Sequence, residues 1–269
     1  MEIPILYEDK DVVVINKPAG LIVHSDGKTS IQRKGRKEKS LVDWILKKYP
    51  NIKNVGEPMV LNQESRIKNK ESIHNSKFII HNSIILRPGI VHRIDKDTTG
   101  ALIIAKNKKS YEFLKKQFQE KKVHKVYHAF VYGELKEDRG IIDRPIGRSP
   151  KDFRKWSAQR GKRGEVREAI TYFKVLKRID GITFIEAIPK TGRTHQIRVH
   201  LKAIDHPIVH DELYAPKFFL DKKNQLGFKR IALHARILEI TLPSGKLLNI
   251  VAPYPKDFEK AVKKLIVKK

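Results

Sequence analysis

The chain sets short β-branched runs against stretches of helical period. "DVVVINKP" (11–18) is a β-branched run stopped by Pro18 and Gly20, which predicts a strand leading into a turn, and "LIVH" (21–24) is apolar enough to continue it. From Ser40, "SLVDWILKKY" joins a capping-box pair, Ser40 and Asp43, to apolar Leu41, Trp44 and Ile45 at helical spacing, so a helix is expected. "ALIIAK" (101–106) predicts a buried strand. "KSYEFLKKQFQEKK" (109–122) then predicts an amphipathic helix with Tyr111, Leu114 and Phe118 on one face. "KVYHAFVYGEL" (125–135) alternates as a strand does, and "EAITYFKVLKRIDGITFIEAIP" (168–189) reads as a hairpin turning at Asp180 and Gly181. In "TGRTHQIRVHLKAID" (191–205), turn chemistry gives way to a helical stripe of Ile197, Leu201 and Ile204. "IALHARILEITLPSGKLLNIVAPYP" (231–255) reads as a second hairpin about Ser244 and Gly245, followed by a basic C-terminal helix.

Two stretches escape these periods. Residues 50–88 are rich in Asn, Lys and Ser and are read as an insertion between core elements, within which "FIIHNSIIL" (78–86) suits a short hairpin. Residues 143–168 hold Gly, Pro, Ser and Gln among their charges and read as a loop. Strands outnumber helices without regular βα alternation, and no internal repeat or linker marks a second domain. The expected fold is α+β: a mixed, mostly antiparallel sheet flanked by helices and loops, with a central active-site cleft, in a single domain spanning 1–269.

Charge sharpens the picture. Lys and Arg number 57 against 30 Asp and Glu, a net charge of +27, which favours polyanions through phosphate contacts; RNA, DNA and anionic membranes all qualify. The plainer reading is a basic surface that merely solvates the fold. Distribution favours nucleic acid: residues 28–39 hold six basic residues and one acid, and 143–168 hold nine and four, with Phe153 and Trp156 interleaved. A lipid surface would call for an amphipathic basic helix instead. No apolar run of about 18 residues and no signal-peptide pattern occur, so a cytoplasmic protein is expected, with monomer as the default state. Cysteine is absent, which excludes disulfides and thiolate chemistry. His206 and His210, four apart beside Asp211, are separated by Pro207, and no H-E-x-x-H, Walker A or G-x-G-x-x-G pattern occurs; neither a metal nor a cofactor is expected.

Three segments place reactive side chains at the edges of regular elements: "HRIDKDTTG" (92–100), "KVYHAFVYG" (125–133) and "KTGRTHQIRVHL" (190–201). Side chains at strand ends and helix starts can converge on one cleft. Asp95 beside Arg198 would stay ionised, as a carboxylate nucleophile or base requires. The simpler alternative has Asp95 capping a turn and Arg198 pairing with a surface acid.

"NKPAGLIVH" (16–24), "PGIVHRIDKDTTGALIIAKN" (88–107), "KVYHAFVYG" and "PKTGRTHQIRVHLKAIDHPIV" (189–209) resemble, in order and spacing, the RluA-type RNA pseudouridine synthases over roughly residues 5–255. The resemblance implies an isomerase that breaks the N1–C1′ bond of a uridine in structured RNA, tRNA or rRNA, rotates the base and rejoins it through C5, without cofactor or metal. It implies that Asp95 is the catalytic aspartate, whether as nucleophile on the sugar or as base toward the ribose. Tyr127 matches the tyrosine that stacks on the target base and helps remove the C5 proton, and Arg198 the partner of the aspartate. Arg93 resembles the residue that fills the gap left by a flipped base. His92, Thr98, Arg193, His195 and Gln196 fall in the same motifs and join the expected substrate-binding set. The residues agree with this independently: glycosidic chemistry needs a carboxylate near the anomeric carbon, a flipped base needs an aromatic platform, and RNA needs a positive surface.

Some positions depart from the family pattern. Thr99 replaces the usual Ser and keeps the hydroxyl; His210 stands where Gly is usual, so a different loop is expected there; and no N-terminal S4 domain, which some relatives carry, is expected. Gly100 is expected to permit close backbone packing, and Thr98 and Thr99 to bond local backbone and hold Asp95. A non-catalytic RNA-binding or ribosome-assembly factor on the same fold is the alternative from another function class, separated by Asp95→Asn. A basic nuclease is disfavoured for want of metal ligands.

Overall fold

The computed structural model describes residues 2–23, 40–66, 78–152, 154–221 and 226–267. The basic run at 28–39, Phe153 and His24 lie outside these residues. The chain opens with β1 (Ile5–Glu8) and β2 (Val12–Lys17), an antiparallel pair whose turn is closed by the Asp9 carboxylate accepting from the Asp11 and Val12 amides at 2.8 and 2.7 Å. Helix α1 (Leu41–Lys48) follows, with the expected reciprocal capping box between Ser40 and Asp43. β3 (Met59–Arg66) and β4 (Phe78–Ile85) form a ribbon of their own. The 78–85 stretch is therefore one continuous strand whose partner is 59–66, not a hairpin within itself.

β5 (Thr99–Ala105) is buried along its whole length, and α2 (Lys108–Gln119) packs Tyr111 and Leu114 inward behind it. β6 (His124–Tyr132) and β7 (Arg139–Asp143) lead into β8 (Ile146–Arg148), β9 (Trp156–Ser157) and β10 (Arg163–Arg167). β11 (Ile170–Ile179) and β12 (Ile182–Pro189) form the expected hairpin, with Asp180 and Gly181 both at positive φ, 48° and 73°. Helices α3 (Gln196–Ala203) and α4 (Lys217–Asp221), strands β13 (Leu233–Thr241) and β14 (Leu247–Val251), and helix α5 (Lys256–Val267) complete the chain.

The main sheet runs β1-β2-β5-β13-β6-β12-β11-β7, with β14 beside β13. β13 meets β5 in parallel through Thr99 and Gly100, and the other named strand pairs among the described residues are antiparallel. Gly100 makes this junction possible. Its φ is +115°, and an added Cβ would lie 2.2 Å from the Ala235 carbonyl oxygen. One apolar core, around Phe130, Phe184 and Phe258, lies under the β6–β12 side; others, around Ile15, Leu41 and Leu102 and around Val14, Ile103 and Leu114, pack the faces of β2 and β5. Tyr127 touches the first two of these, which puts it over the middle of the sheet.

Two further expectations change. "LIVH" does not extend β2: Ile22 makes an isolated parallel bridge to Ser40, because Pro18 and Gly20 turn the chain away. The 143–168 stretch is not all loop, since β8, β9 and β10 pair in the order β10-β8-β9 and pack on α3 through Ile146, Ala158, Val199 and Ala203.

Candidate active site

Segments distant in sequence meet over the centre of the sheet. The loop ahead of β5 brings Asp95, β6 brings Tyr127, the turn into α3 brings His195 and the first turn of α3 brings Arg198; all line one cleft of about 460 Å³. Seven Lys or Arg side chains and a single carboxylate, Asp95, line it.

Asp95 sits on a tight turn in which the Thr98 amide donates to the Asp95 carbonyl at 3.2 Å. A second brace comes from Lys17, fully buried at the end of β2, whose Nζ donates to the carbonyls of Pro18, Leu21 and Lys96 at 2.9, 2.9 and 2.8 Å. Burial pulls this ammonium down to about 7, with the charges of Asp97 and Asp95 opposing. Three carbonyl acceptors, one for each of its protons, favour the charged form as well. This role was open to sequence reasoning, because a lysine ending an apolar strand just before Pro-Ala-Gly is an unusual place for an unpaired charge.

Arg198 is the hub. Its Nη1 donates to Asp95 Oδ2 at 2.9 Å, and its Nε and Nη2 donate to the two oxygens of Asp211, both at 2.8 Å. Asp211 is 1% exposed and also accepts from the amides of Leu213 and Tyr214. The Tyr214 ring lies beneath the guanidinium, 5.0 Å away, and its hydroxyl meets His195 Nδ1 at 2.8 Å. His195 Nε2 is 3.9 Å from Asp95 Oδ1, too far for a hydrogen bond. Asp211 and Tyr214 were missed as site residues in the sequence. Their signal is an acid and an aromatic three apart, directly after "HPIVH".

These contacts set the charge states. Burial disfavours the Asp95 carboxylate, but the positive charges of His195 and Arg198 and the Arg198 hydrogen bond outweigh it, and its pKa falls below the ordinary 3.8. Burial likewise holds His195 below 6.5 despite Asp95. At neutral pH Arg198 is thus the standing counter-ion. Burial and the Asp95 charge both push the Tyr127 phenol up, so it stays protonated.

Other candidates are placed differently. His92 lines the cleft with its ring, but its Nε2 accepts from the Ile103 amide at 3.0 Å and the ring stacks on Phe118. Burial, with help from Lys125, lowers its pKa to about 3, so it is a neutral brace between the Asp95 loop and β5. Gln196 uses its whole amide internally: it accepts from Thr191 and the Arg193 amide and donates to the Ile170 carbonyl and Thr171. Arg193 lines the cleft with its Nε on the Glu168 carbonyl, and Arg93 stands exposed on the cleft wall. The threonines do not bond local backbone through their hydroxyls. Thr99 Oγ1 pairs with His234 Nδ1 at 2.8 Å, and the Thr98 hydroxyl is buried without a partner. His210 takes φ 56°, the left-handed conformation open to the glycine usual there. Among the described residues no group of three His, Cys, Asp or Glu is placed to hold a metal, and no helix is long and apolar enough to cross a membrane.

Residues 11–203 match the model of the RNA pseudouridylate synthase family. The chain belongs to this family. An uncharacterised RNA pseudouridine synthase of Synechocystis sp. is 36% identical over 95% of this chain and 67% of its own length. The uncharacterised RNA pseudouridine synthase YlyB of Bacillus subtilis is 35% identical over 98% of this chain and 73% of its own. The ribosomal large subunit pseudouridine synthase D of Xanthomonas campestris is 34% identical over 97% and 69%. In fold, the human RNA pseudouridylate synthase domain containing 4 superposes with a TM-score of 0.67 at 25% identity, over 98% of this chain and 93% of that one. The chain is therefore an RNA pseudouridine synthase, an isomerase acting on RNA, and the RluA-type resemblance holds.

Proposed function

We propose that this pseudouridine synthase modifies uridine in ribosomal RNA, with Asp95 as its catalytic carboxylate and the described chain acting as one catalytic domain. The observation that carries the assignment is Asp95 held at 2.9 Å by a buried, doubly anchored Arg198, as the one carboxylate among seven Lys or Arg side chains lining the cleft. An ionised carboxylate is what both routes of glycosidic isomerisation need. As a nucleophile, Asp95 would bond C1′ as the N1–C1′ bond breaks; as a base, it would take the C2′ proton. In the first route C5 then displaces Asp95 from C1′; in the second, C5 bonds C1′ as C2′ regains its proton; in both the turned base loses its C5 proton and N1 gains one. Tyr127, protonated, suits stacking and O–H donation to the base better than proton removal.

Arg93, exposed on the cleft wall, is suited to entering the RNA stack where the base departs. Three of the relatives carrying the name ribosomal large subunit pseudouridine synthase D are 34–35% identical to this chain, which supports ribosomal RNA as the substrate. A sheet continuous from β1 to β7 supports a single catalytic unit.

The test is to incubate the purified protein, without added metal, with ribosomal RNA lacking the modification, and to map pseudouridine by chemical derivatisation and primer-extension stops. A site made by the wild type and lost with Asp95→Asn, which still retains RNA, is the expected result. Tight binding with no pseudouridine in any RNA would favour an assembly factor.

A further inference from the structure

Among the described residues, two partly buried cations of the cleft, Lys125 and Arg87, make no ion pair of their own with a carboxylate. Lys125 is largely desolvated, its ammonium pushed down by burial, and among the described residues it meets no carboxylate; the Phe118 ring lies 6.0 Å from it. Arg87 has its Nε buried without a hydrogen-bond partner. The acid that influences it, Glu57, is itself paired with Lys115. A buried cation is costly unless an anion meets it, and an orphaned buried donor calls for an explanation. Both side chains face the same cleft as Asp95 and Tyr127.

Strand geometry fixes the spacing. Lys125 and Tyr127 are two residues apart on β6 and share a face, so their Cα atoms are separated by about 7 Å at roughly 3.3 Å per residue. That is the scale of the separation between a nucleotide's base and its backbone phosphate. The stacked His92–Phe118 pair beside Lys125 is neutral and offers no competing acid.

We propose that Lys125 forms an anion subsite that takes one RNA backbone phosphate adjoining the target uridine, fixing the strand while the target base lies against Tyr127, with Arg87 adding positive charge along the same cleft. This rests on the reading of Asp95 as the catalytic carboxylate of the same cleft. The remaining cleft cations stand on the surface or pair elsewhere, as Arg198 and Lys121 do.

The test is a cross of protein and RNA variants. Binding of a short RNA holding the mapped uridine is measured against salt for Asp95→Asn and for Asp95→Asn with Lys125→Met or Arg87→Met. Each phosphate flanking the target is replaced in turn by a neutral methylphosphonate. Lys125→Met should weaken binding about 10- to 100-fold and reduce the slope of log affinity against log salt by about 0.7. One methylphosphonate should weaken the Lys125-intact protein equally and do no further harm to the Lys125→Met protein. Because that arm uses a protein with the cleft intact, misfolding of a variant cannot imitate it. Multiplying effects, or no single methylphosphonate that matches the lysine loss, would overturn the subsite. Failure of the catalytic reading is distinct: the wild type would make no pseudouridine, whatever the binding cross returned.

Discussion

Removing the Asp211 carboxylate tests the claim that Arg198 is aimed by a second acid. Asp211 accepts two hydrogen bonds from the guanidinium at 2.8 Å and is 1% exposed, so Asp211→Ala leaves a buried cation with Asp95 as its remaining carboxylate. Breaking a buried pair in this way costs about 3–5 kcal/mol, and because Arg198 keeps Asp95 the lower end applies. At ~2–4 °C per kcal/mol for a protein of this size, about 3 kcal/mol lowers Tm by roughly 6–12 °C. The chemical effect is separate. A guanidinium freed to shift by ~1 Å should slow the chemical step by about 10²-fold while RNA affinity changes little, since Asp211 is not among the residues lining the cleft. Asp211→Asn keeps the volume and an acceptor oxygen, so it should fall between wild type and Asp211→Ala in both measures. The assay is single-turnover pseudouridine formation at saturating RNA, below the Tm of every variant, beside thermal unfolding. A rate for Asp211→Ala within twofold of wild type would refute the positioning role, even if stability fell.

Other expectations follow from the same geometry. Gly100→Ala forces a Cβ to 2.2 Å from the Ala235 carbonyl at a φ of +115°, so it should destabilise by about 3 kcal/mol or prevent folding, read by thermal melting. Lys17→Met orphans three carbonyls and should cost about 3 kcal/mol, with a lowered chemical rate because the Asp95 turn loses its brace; unchanged melting would contradict this. The Asp95 pKa is depressed below 3.8, so its ionised form, and the stability that form contributes, persists above that value and is lost only as pH falls through the lower folded value. The profile of kcat/KM should accordingly show no acid limb from Asp95 above about pH 5. Arg198→Met removes a charge that opposes burial, and an acid limb should then move to higher pH; superimposable profiles would refute the pairing.

What was legible in the sequence were elements with strong local signals. The Ser40–Asp43 box, the stripe of α2 and the Asp180–Gly181 hairpin each follow from a few neighbouring residues. The Asp95–Arg198 pair, 103 residues apart, was legible because each residue sits in a motif that forces its own backbone. The small sheet of β8, β9 and β10 was not legible. Its strands are two to five residues long, and β10 is exposed throughout and rich in Arg, so no alternation betrays it. Gln196 and His92 look like ligands in sequence, yet backbone amides and carbonyls claim their polar atoms, a distinction that tertiary structure alone makes. Asp211 was missed for the converse reason: beside two histidines it suggests a metal, and its partner Arg198 lies 13 residues back across a turn.

The parallel junction of β5 with β13 also bears on how the protein is made. Thr99 waits for His234, which leaves the ribosome 135 residues later. At about 5–20 residues per second, that is a delay of roughly 7–27 seconds, during which the edge of a strand that is buried along its whole length in the finished fold has no neighbour on that side. Arg198 and Asp211 also emerge within this interval. The nascent chain, already strongly cationic and surrounded by ribosomal RNA, thus lacks its assembled Asp95–Arg198–Asp211 cluster until residue 211 has been made. The same arrangement makes the interval the period of greatest exposure to misassembly, and substitutions that slow the docking of β13 should lower the yield of folded enzyme before they alter its chemistry.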